Sequence, residues 1–256
     1  MSSIFLGIDI GGSGIKGAPV DLTTGELAQS RLRIPTPEKS TPKNVGDVIG
    51  EIIDHFTPTI GDVPVGITFP APVVHGVIPF IANLHQKWAG LNADEFLTER
   101  LGRNITLVND ADAAGLAEVR YGAAKNHQGV VIVTTLGTGI GSAIIHRGVL
   151  VPNSELGHLE IDGYEAEKRA ASSIKDKEGL SYKDWTKRLH RYYSHVEMLF
   201  SPDLFVIGGG VSKDWDKFGP NLGIKTPAVP AVLRNQAGII GAAMAAADAQ
   251  IHPEDH

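Results

Sequence analysis

Apolar residues fill the stretch from Ile4 to Ile10, broken only by Gly7 and Asp9. Gly11, Gly12, Gly14 and Gly17 then punctuate the chain before Ala18, Pro19 and Val20. Such a run predicts a strand, a tight glycine turn and a second strand paired back on the first. After a proline-rich connection from Pro35 to Pro42, the residues Val45, Val48, Ile49, Ile52, Ile53 and Phe56 recur at helical spacing and predict an amphipathic helix. Val63 to Phe69 reads as a buried strand leading into Pro70-Ala71-Pro72, Leu91 to Leu101 as a helix, and Ile105 to Val108 as another strand. That strand hands over at Asn109-Asp110 to an alanine-rich helix from Ala111 to Tyr121. Functional groups collect at such strand ends in α/β folds.

The second half repeats this grammar. Val130 to Leu136 is a β-branched run, followed by the glycine turn Gly137-Thr138-Gly139-Ile140-Gly141-Ser142 and a return run Ala143-Ile144-Ile145. Leu204 to Ile207 is a strand ending in Gly208-Gly209-Gly210, and Ala237 to Ala249 reads as an alanine-rich helix. From Ser181 to Val196, Trp185, Leu189, Tyr192 and Val196 form a buried helical stripe, with Lys183, Lys187, His190 and Arg191 on a different face. That basic face suits a phosphate chain, or is a solvated surface. Two similar halves suggest two related lobes.

Composition narrows the classes without choosing among them. No apolar stretch approaches the roughly 18 residues of a membrane span, so no membrane role is expected. The start of the chain has no basic region of the kind that opens a signal peptide, which points to the cytoplasm. A net charge of −6 argues against general nucleic-acid binding. The absence of cysteine removes thiolate chemistry, so any metal must use oxygen or histidine ligands.

Four segments carry candidate chemistry. In Asp9-Ile10-Gly11-Gly12-Ser13-Gly14, backbone N–H groups can approach a phosphate while Asp9 holds Mg²⁺ directly or through water, and Lys16 can neutralise phosphate charge. A plain hairpin turn is the competing reading. Thr135, Gly137, Thr138 and Gly139 suit a second portion of a phosphate chain, and the turn lacks the lysine of a Walker motif. In Asn109-Asp110-Ala111-Asp112, Asp110 is placed to accept a hydroxyl proton and Asn109 to clamp a neighbouring hydroxyl, with a helix N-cap as the alternative. Glu155, His158 and Glu160 can bond several sugar hydroxyls; a metal site or surface charge competes. Gly208, Gly209 and Gly210 suit the adenine and ribose end of a nucleotide, or tight packing.

In this order and combination, these residues resemble the sugar kinases of the ROK family, within the actin and hexokinase superfamily, over nearly the whole chain. The resemblance implies an α/β protein of two actin-like (RNase H-like) lobes with an active-site cleft between them. The first lobe is expected over 1–108, joined by the helix at 237–250, and the second over 109–236. It also implies Asp110 as catalytic base, with Asn83, Asn109, Glu155, His158 and Glu160 as sugar ligands. The turns at Asp9 and Thr135 become the phosphate motifs and Gly208 to Gly210 the adenosine motif. The cysteine cluster that holds zinc in most of the family is replaced by Ile161-Asp162-Gly163-Tyr164-Glu165-Ala166-Glu167, so no zinc is expected. With Thr68-Phe69-Pro70-Ala71-Pro72, Asn83 and Lys87-Trp88, this zinc-free form is most similar to the polyphosphate glucokinases and polyphosphate/ATP glucomannokinases of actinobacteria. Implied ligands are glucose or mannose, ATP or inorganic polyphosphate, and Mg²⁺, in a homodimer. The family also contains sugar-sensing repressors, but Asp9 comes too early for a preceding DNA-binding helix-turn-helix. A non-catalytic sugar-binding protein is a further alternative, as is an acetate-kinase-like or phosphatase relative.

Overall fold

A computed structural model describes residues 3–251. They form two compact units, one of residues up to 117 together with those from 236, the other of residues 118–235. In the first, β1 (Ile4–Gly11) and β2 (Gly14–Asp21) make the expected antiparallel pair, with Gly11 facing Gly14 across a turn of Gly12 and Ser13. β1 also pairs in parallel with β5 (Val65–Phe69), and β5 with β6 (Ile105–Asn109). Short strands β3 (Glu26–Leu27) and β4 (Leu32–Ile34) extend the sheet beyond β2.

Helix α1 (Pro42–Ile60) buries Val45, Ile49, Ile52, Ile53 and Phe56, with Val48 half-buried. It starts earlier than its apolar stripe because the Thr41 hydroxyl caps it, accepting from the Asn44 amide at 3.3 Å, and Pro42 occupies the first turn. Helix α2 (Ala93–Leu101) is capped by Asn92 and stopped by Gly102 in the left-handed conformation. Helix α3 (Asp110–Arg120) follows β6 with no intervening loop.

The C-terminal helix α7 (Ala237–Ile251) packs on β1, β5 and β6 at backbone distance. A Cβ on Gly66 would stand 1.7 Å from the carbonyl oxygen of Ala242, and one on Gly241 would stand 1.9 Å from that of Ala113. Small residues on both sides make this approach possible. The α7 contact with α3 also holds the start of α3 to the first unit, so the division falls after Ala117 and not at the expected Val108.

The second unit repeats the strand order. β7 (Val130–Leu136) pairs antiparallel with β8 (Ile140–His146), and β8 with β9 (Val149–Val151). On its other side β7 pairs in parallel with β12 (Leu204–Gly208), and β12 with β13 (Ala228–Pro230). A small hairpin of β10 (Glu160–Ile161) and β11 (Tyr164–Glu165) leads into the short helices α4 (Glu167–Ala170) and α5 (Ser172–Lys177). Helix α6 (Tyr182–Phe200) buries Trp185, Leu189, Tyr192 and Val196 and exposes Lys183, Lys187, His190 and Arg191. Among the described residues no helix is long and apolar enough to cross a membrane.

Candidate active site

The first glycine turn stands on a charged base. Thr68, fully buried on β5 opposite Asp9, donates its hydroxyl to Asp9 Oδ1 at 2.9 Å and accepts the Ile10 amide at 3.3 Å. Lys16 Nζ approaches Asp9 Oδ2 at 3.3 Å. The Asp9 carboxylate is thus fixed beside Gly11, while Gly12 and Ser13 are exposed at the tip. Arg33 on β4, unanticipated from the sequence, donates to the Ser13 carbonyl at 2.7 Å, and a Cβ on Gly14 would meet its guanidinium. A second cation therefore stands at the turn. Asp9 offers hard oxygen of the type Mg²⁺ prefers, and each oxygen takes one hydrogen bond and keeps a further lone pair, so the carboxylate fits the ion directly or through water.

At the end of β6 the two candidate residues divide their work. The Asn109 side-chain oxygen accepts from the amides of Ala111 (2.8 Å) and Asp112 (3.1 Å), so Asn109 is the cap of α3. Asp110 Oδ1 also accepts from the Ala111 amide at 2.8 Å, and the carboxylate is half-buried at the first turn of α3. Asn83 is exposed in the irregular segment before Trp88, whose buried indole donates to the Ser40 carbonyl at 2.9 Å.

In the second unit the turn after β7 is braced by α5. The Gly137 carbonyl accepts from the Ser173 amide (3.1 Å) and the Ser172 hydroxyl (3.2 Å), and the Thr138 carbonyl from the Ser173 hydroxyl (2.7 Å). Thr135 lies half-buried at the end of β7 and Gly139 half-buried in the turn. The Glu167 carboxylate accepts the Ile140 amide at 3.2 Å and lies where a Cβ on Gly139 would project, 2.3 Å away.

Glu155 and His158 flank a single 3-10 turn whose Gly157 lies against the Ile140 carbonyl, 2.2 Å from where a Cβ would be. His158 Nε2 is 3.9 Å from Glu155, and its Nδ1 is 3.8 Å from Glu165, which is itself paired with Lys168 at 2.6 Å. Ligand atoms of His158, Glu165 and Glu167 lie within 4.8 Å of one another. Burial pushes the Glu155 carboxyl above its ordinary range; the charge of Glu167 adds to this and His158 opposes it. Glu165 is held below its ordinary range by Lys168. Glu160 is exposed on β10, opposite Glu165 in register, and it is Glu167 that joins the group around His158.

At the end of β12, Gly209 adopts φ 86°, and a Cβ there would meet the Leu136 carbonyl at 2.2 Å, so packing against β7 alone calls for glycine. Gly210 has open space beside it, whereas Gly208 lies near Ala231.

Sheets of this order, each with a glycine turn at its central hairpin, are those of the two-lobed actin-like phosphotransferases. The ROK family model matches residues 5–179, and the chain belongs to the ROK family. Polyphosphate glucokinase of Mycobacterium tuberculosis (strain ATCC 25177 / H37Ra) is 51% identical over 240 residues, covering 93% of this chain and 89% of that protein. The crystal structure of inorganic polyphosphate/ATP-glucomannokinase from Arthrobacter sp. strain KM matches with a TM-score of 0.91 at 51% identity, over 96% of this chain and 98% of that one. A ROK glucokinase from Streptomyces griseus, solved with glucose and AMPPNP, shares the fold at 23% identity, with a TM-score of 0.80 over 96% and 99% of the two chains.

Proposed function

We propose that this chain is a hexokinase-type kinase that transfers the terminal phosphoryl group of polyphosphate or ATP to the 6-hydroxyl of glucose or mannose. The observation that carries this reading is the 51% identity, over 240 residues, with a polyphosphate glucokinase. Asp110 receives the proton of the sugar 6-hydroxyl as its oxygen attacks the terminal phosphorus. The new oxygen–phosphorus bond forms as the bond to the donor's bridging oxygen breaks. The electron pair leaves on that oxygen, and the donor departs one phosphate shorter, or as ADP. Asn109 keeps its NH₂ for a sugar hydroxyl because its oxygen caps α3. Glu155, His158 and Glu167 accept or donate to further hydroxyls, Asn83 and Glu160 being the other sequence candidates. Backbone amides of Gly11 to Gly14 and of Gly137 to Gly139 receive phosphate oxygens, with Lys16, Ser13, Thr135 and Thr138 beside them. Gly208 to Gly210 serve the adenosine of ATP.

Asp9 would hold Mg²⁺ directly or through water, and the ion when bound would screen the donor's charge. The same reading has the enzyme work in the cytoplasm as a homodimer, engaging neither nucleic acid nor membrane.

The test is glucose 6-phosphate formation with Mg²⁺ and either ATP or long-chain polyphosphate, beside Asp110→Asn. The variant should lose about 10²- to 10⁴-fold in kcat, the range of a general base, while still binding glucose. Glucose binding with no product from either donor would refute the kinase and favour a sugar-sensing protein.

A further inference from the structure

A recess of about 200 Å³ lies between α4, α6 and the β10–β11 hairpin. Its walls include four cations, Arg169, Lys187, Arg188 and Arg191, against one acid, Asp162, in a chain whose net charge is −6. We propose that this recess holds the distal phosphates of a polyphosphate donor. The inference rests on the kinase reading and adds to it a place for the part of the donor that is not reacting.

Three observations support this occupant. Recess and phosphate turn are two ends of one scaffold: Ser172 and Ser173 at the start of α5 bond to the carbonyls of Gly137 and Thr138, and α4, directly before them, carries Arg169. Arg188 Nη1 donates to the Arg169 carbonyl at 3.1 Å, which ties the middle of α6 to the same scaffold. Arg169 on α4 thus shares the recess with Lys187 and Arg191, both exposed on α6, and Lys183 lies one turn before Lys187 on that helix.

The cations are only lightly engaged. Lys187 pairs with Asp184 (2.7 Å), Arg188 with Glu178 (2.7 Å) and Arg191 with Asp162 (2.8 and 3.0 Å), each pair with one or both partners well exposed. Arg169 lies 4.8 Å over the ring of Tyr164. The single-contact pairs of Lys187 and Arg188 are open to water and screened, so a polyanion can compete with their acids, while the bidentate hold of Asp162 makes Arg191 the cation hardest to recruit. Each phosphate it brings carries a full charge, and several act together.

The measurement is kcat/KM for long-chain polyphosphate divided by that for tripolyphosphate, at low and moderate salt. In Arg169→Gln/Lys187→Gln this ratio should fall about tenfold and lose part of its salt dependence. In Asp162→Asn, which releases Arg191, it should rise. All three positions are exposed, so folding is not at stake. An unmoved ratio in both variants, or a fall shared equally by both chain lengths, overturns the proposal. So does an unaltered protein that works with ATP and shows no preference for longer chains. No product from the unaltered protein with any donor would instead strike the kinase reading itself, and the subsite with it.

Discussion

Thr68→Val isolates the support beneath the first phosphate turn. Valine keeps the shape of threonine and replaces the hydroxyl with a methyl, so the fully buried site on β5 is filled as before. Two bonds are lost: the 2.9 Å donation to Asp9 Oδ1 and the 3.3 Å acceptance from the Ile10 amide. A hydrogen bond to a charged partner contributes about 1.5–3 kcal/mol, and the longer, neutral one adds up to about 1 kcal/mol. Asp9 is about one-fifth exposed, so water replaces part of the first. The expected loss is about 1–3 kcal/mol, which for a chain of this size lowers Tm by roughly 2–12 °C.

The functional consequence has its own direction. With Oδ1 released, only Lys16 at 3.3 Å restrains the carboxylate, so the apparent KM for the Mg²⁺–donor complex should rise while KM for glucose moves little. Thr68→Ser is the control: it keeps the hydroxyl and removes one methyl, at a cost of about 1 kcal/mol. Thermal melting and donor KM for the three proteins decide the matter. Equal losses in the Val and Ser variants, or an unchanged donor KM in the Val variant, would refute the idea that this hydroxyl fixes Asp9.

Two further predictions use other parts of the structure. Gly66→Ala puts a methyl 1.7 Å from the Ala242 carbonyl, where both sides are rigid backbone, so a loss of about 1–3 kcal/mol or more is expected; Gly50→Ala in α1 meets only the Leu101 side chain at 3.4 Å and should be neutral or stabilising, by up to about 1 kcal/mol, in the same melting assay. The Glu155 carboxyl titrates higher in the folded chain than in the unfolded one, so stability falls as the pH rises from the ordinary carboxylate range through the raised value. Glu155→Gln should therefore melt above the parent near neutral pH, with the gap closing as the pH falls below the ordinary carboxylate range, while glucose binding measured by calorimetry weakens.

Local patterns carried much of this fold into view. The strand–turn–strand units, the α1 stripe and the buried face of α6 are set by which side chains a neighbouring layer removes from water, and that is a periodic property of sequence. Asp110 was visible for the same reason, because a strand that ends at a polar pair and passes into an alanine-rich helix leaves that pair at the strand's mouth. Arg33 and Glu167 were not visible. Each reaches its turn from another element, Arg33 across the β2–β4 register and Glu167 from the start of α4, and a charge that acts across elements leaves no period in the chain. Glu160 stood nearer to His158 in sequence than Glu167 does, but the chain returns through the β10–β11 hairpin, and Glu165 from β11 and Glu167 from the start of α4 lie with His158. The two units divide after Ala117 where lobes divided after Val108 were expected, and the approach of Gly241 to Ala113 joins residues far apart in the chain.

The two units have the same strand order, and that makes their one difference in charge informative. In each, an antiparallel hairpin sits beside a parallel strand, β1–β2 with β5 and β7–β8 with β12. Two positions before the last hairpin pair, the first unit has Asp9 facing Lys16, and the second has Thr134 facing Ser142, both nearly or wholly buried. Thr134 bonds the Tyr193 hydroxyl at 2.7 Å and Ser142 bonds the Ser154 carbonyl at 2.7 Å, so the neutral pair satisfies the hairpin without any charge. Hairpin geometry therefore does not require a carboxylate at this position. The carboxylate kept in the first unit takes the Thr68 hydroxyl on Oδ1 and Lys16 on Oδ2, the latter at 3.3 Å. On the function proposed above, a cation-bearing donor would complete the first turn, and the second, with Thr135 and Thr138 beside it, would receive phosphate without one.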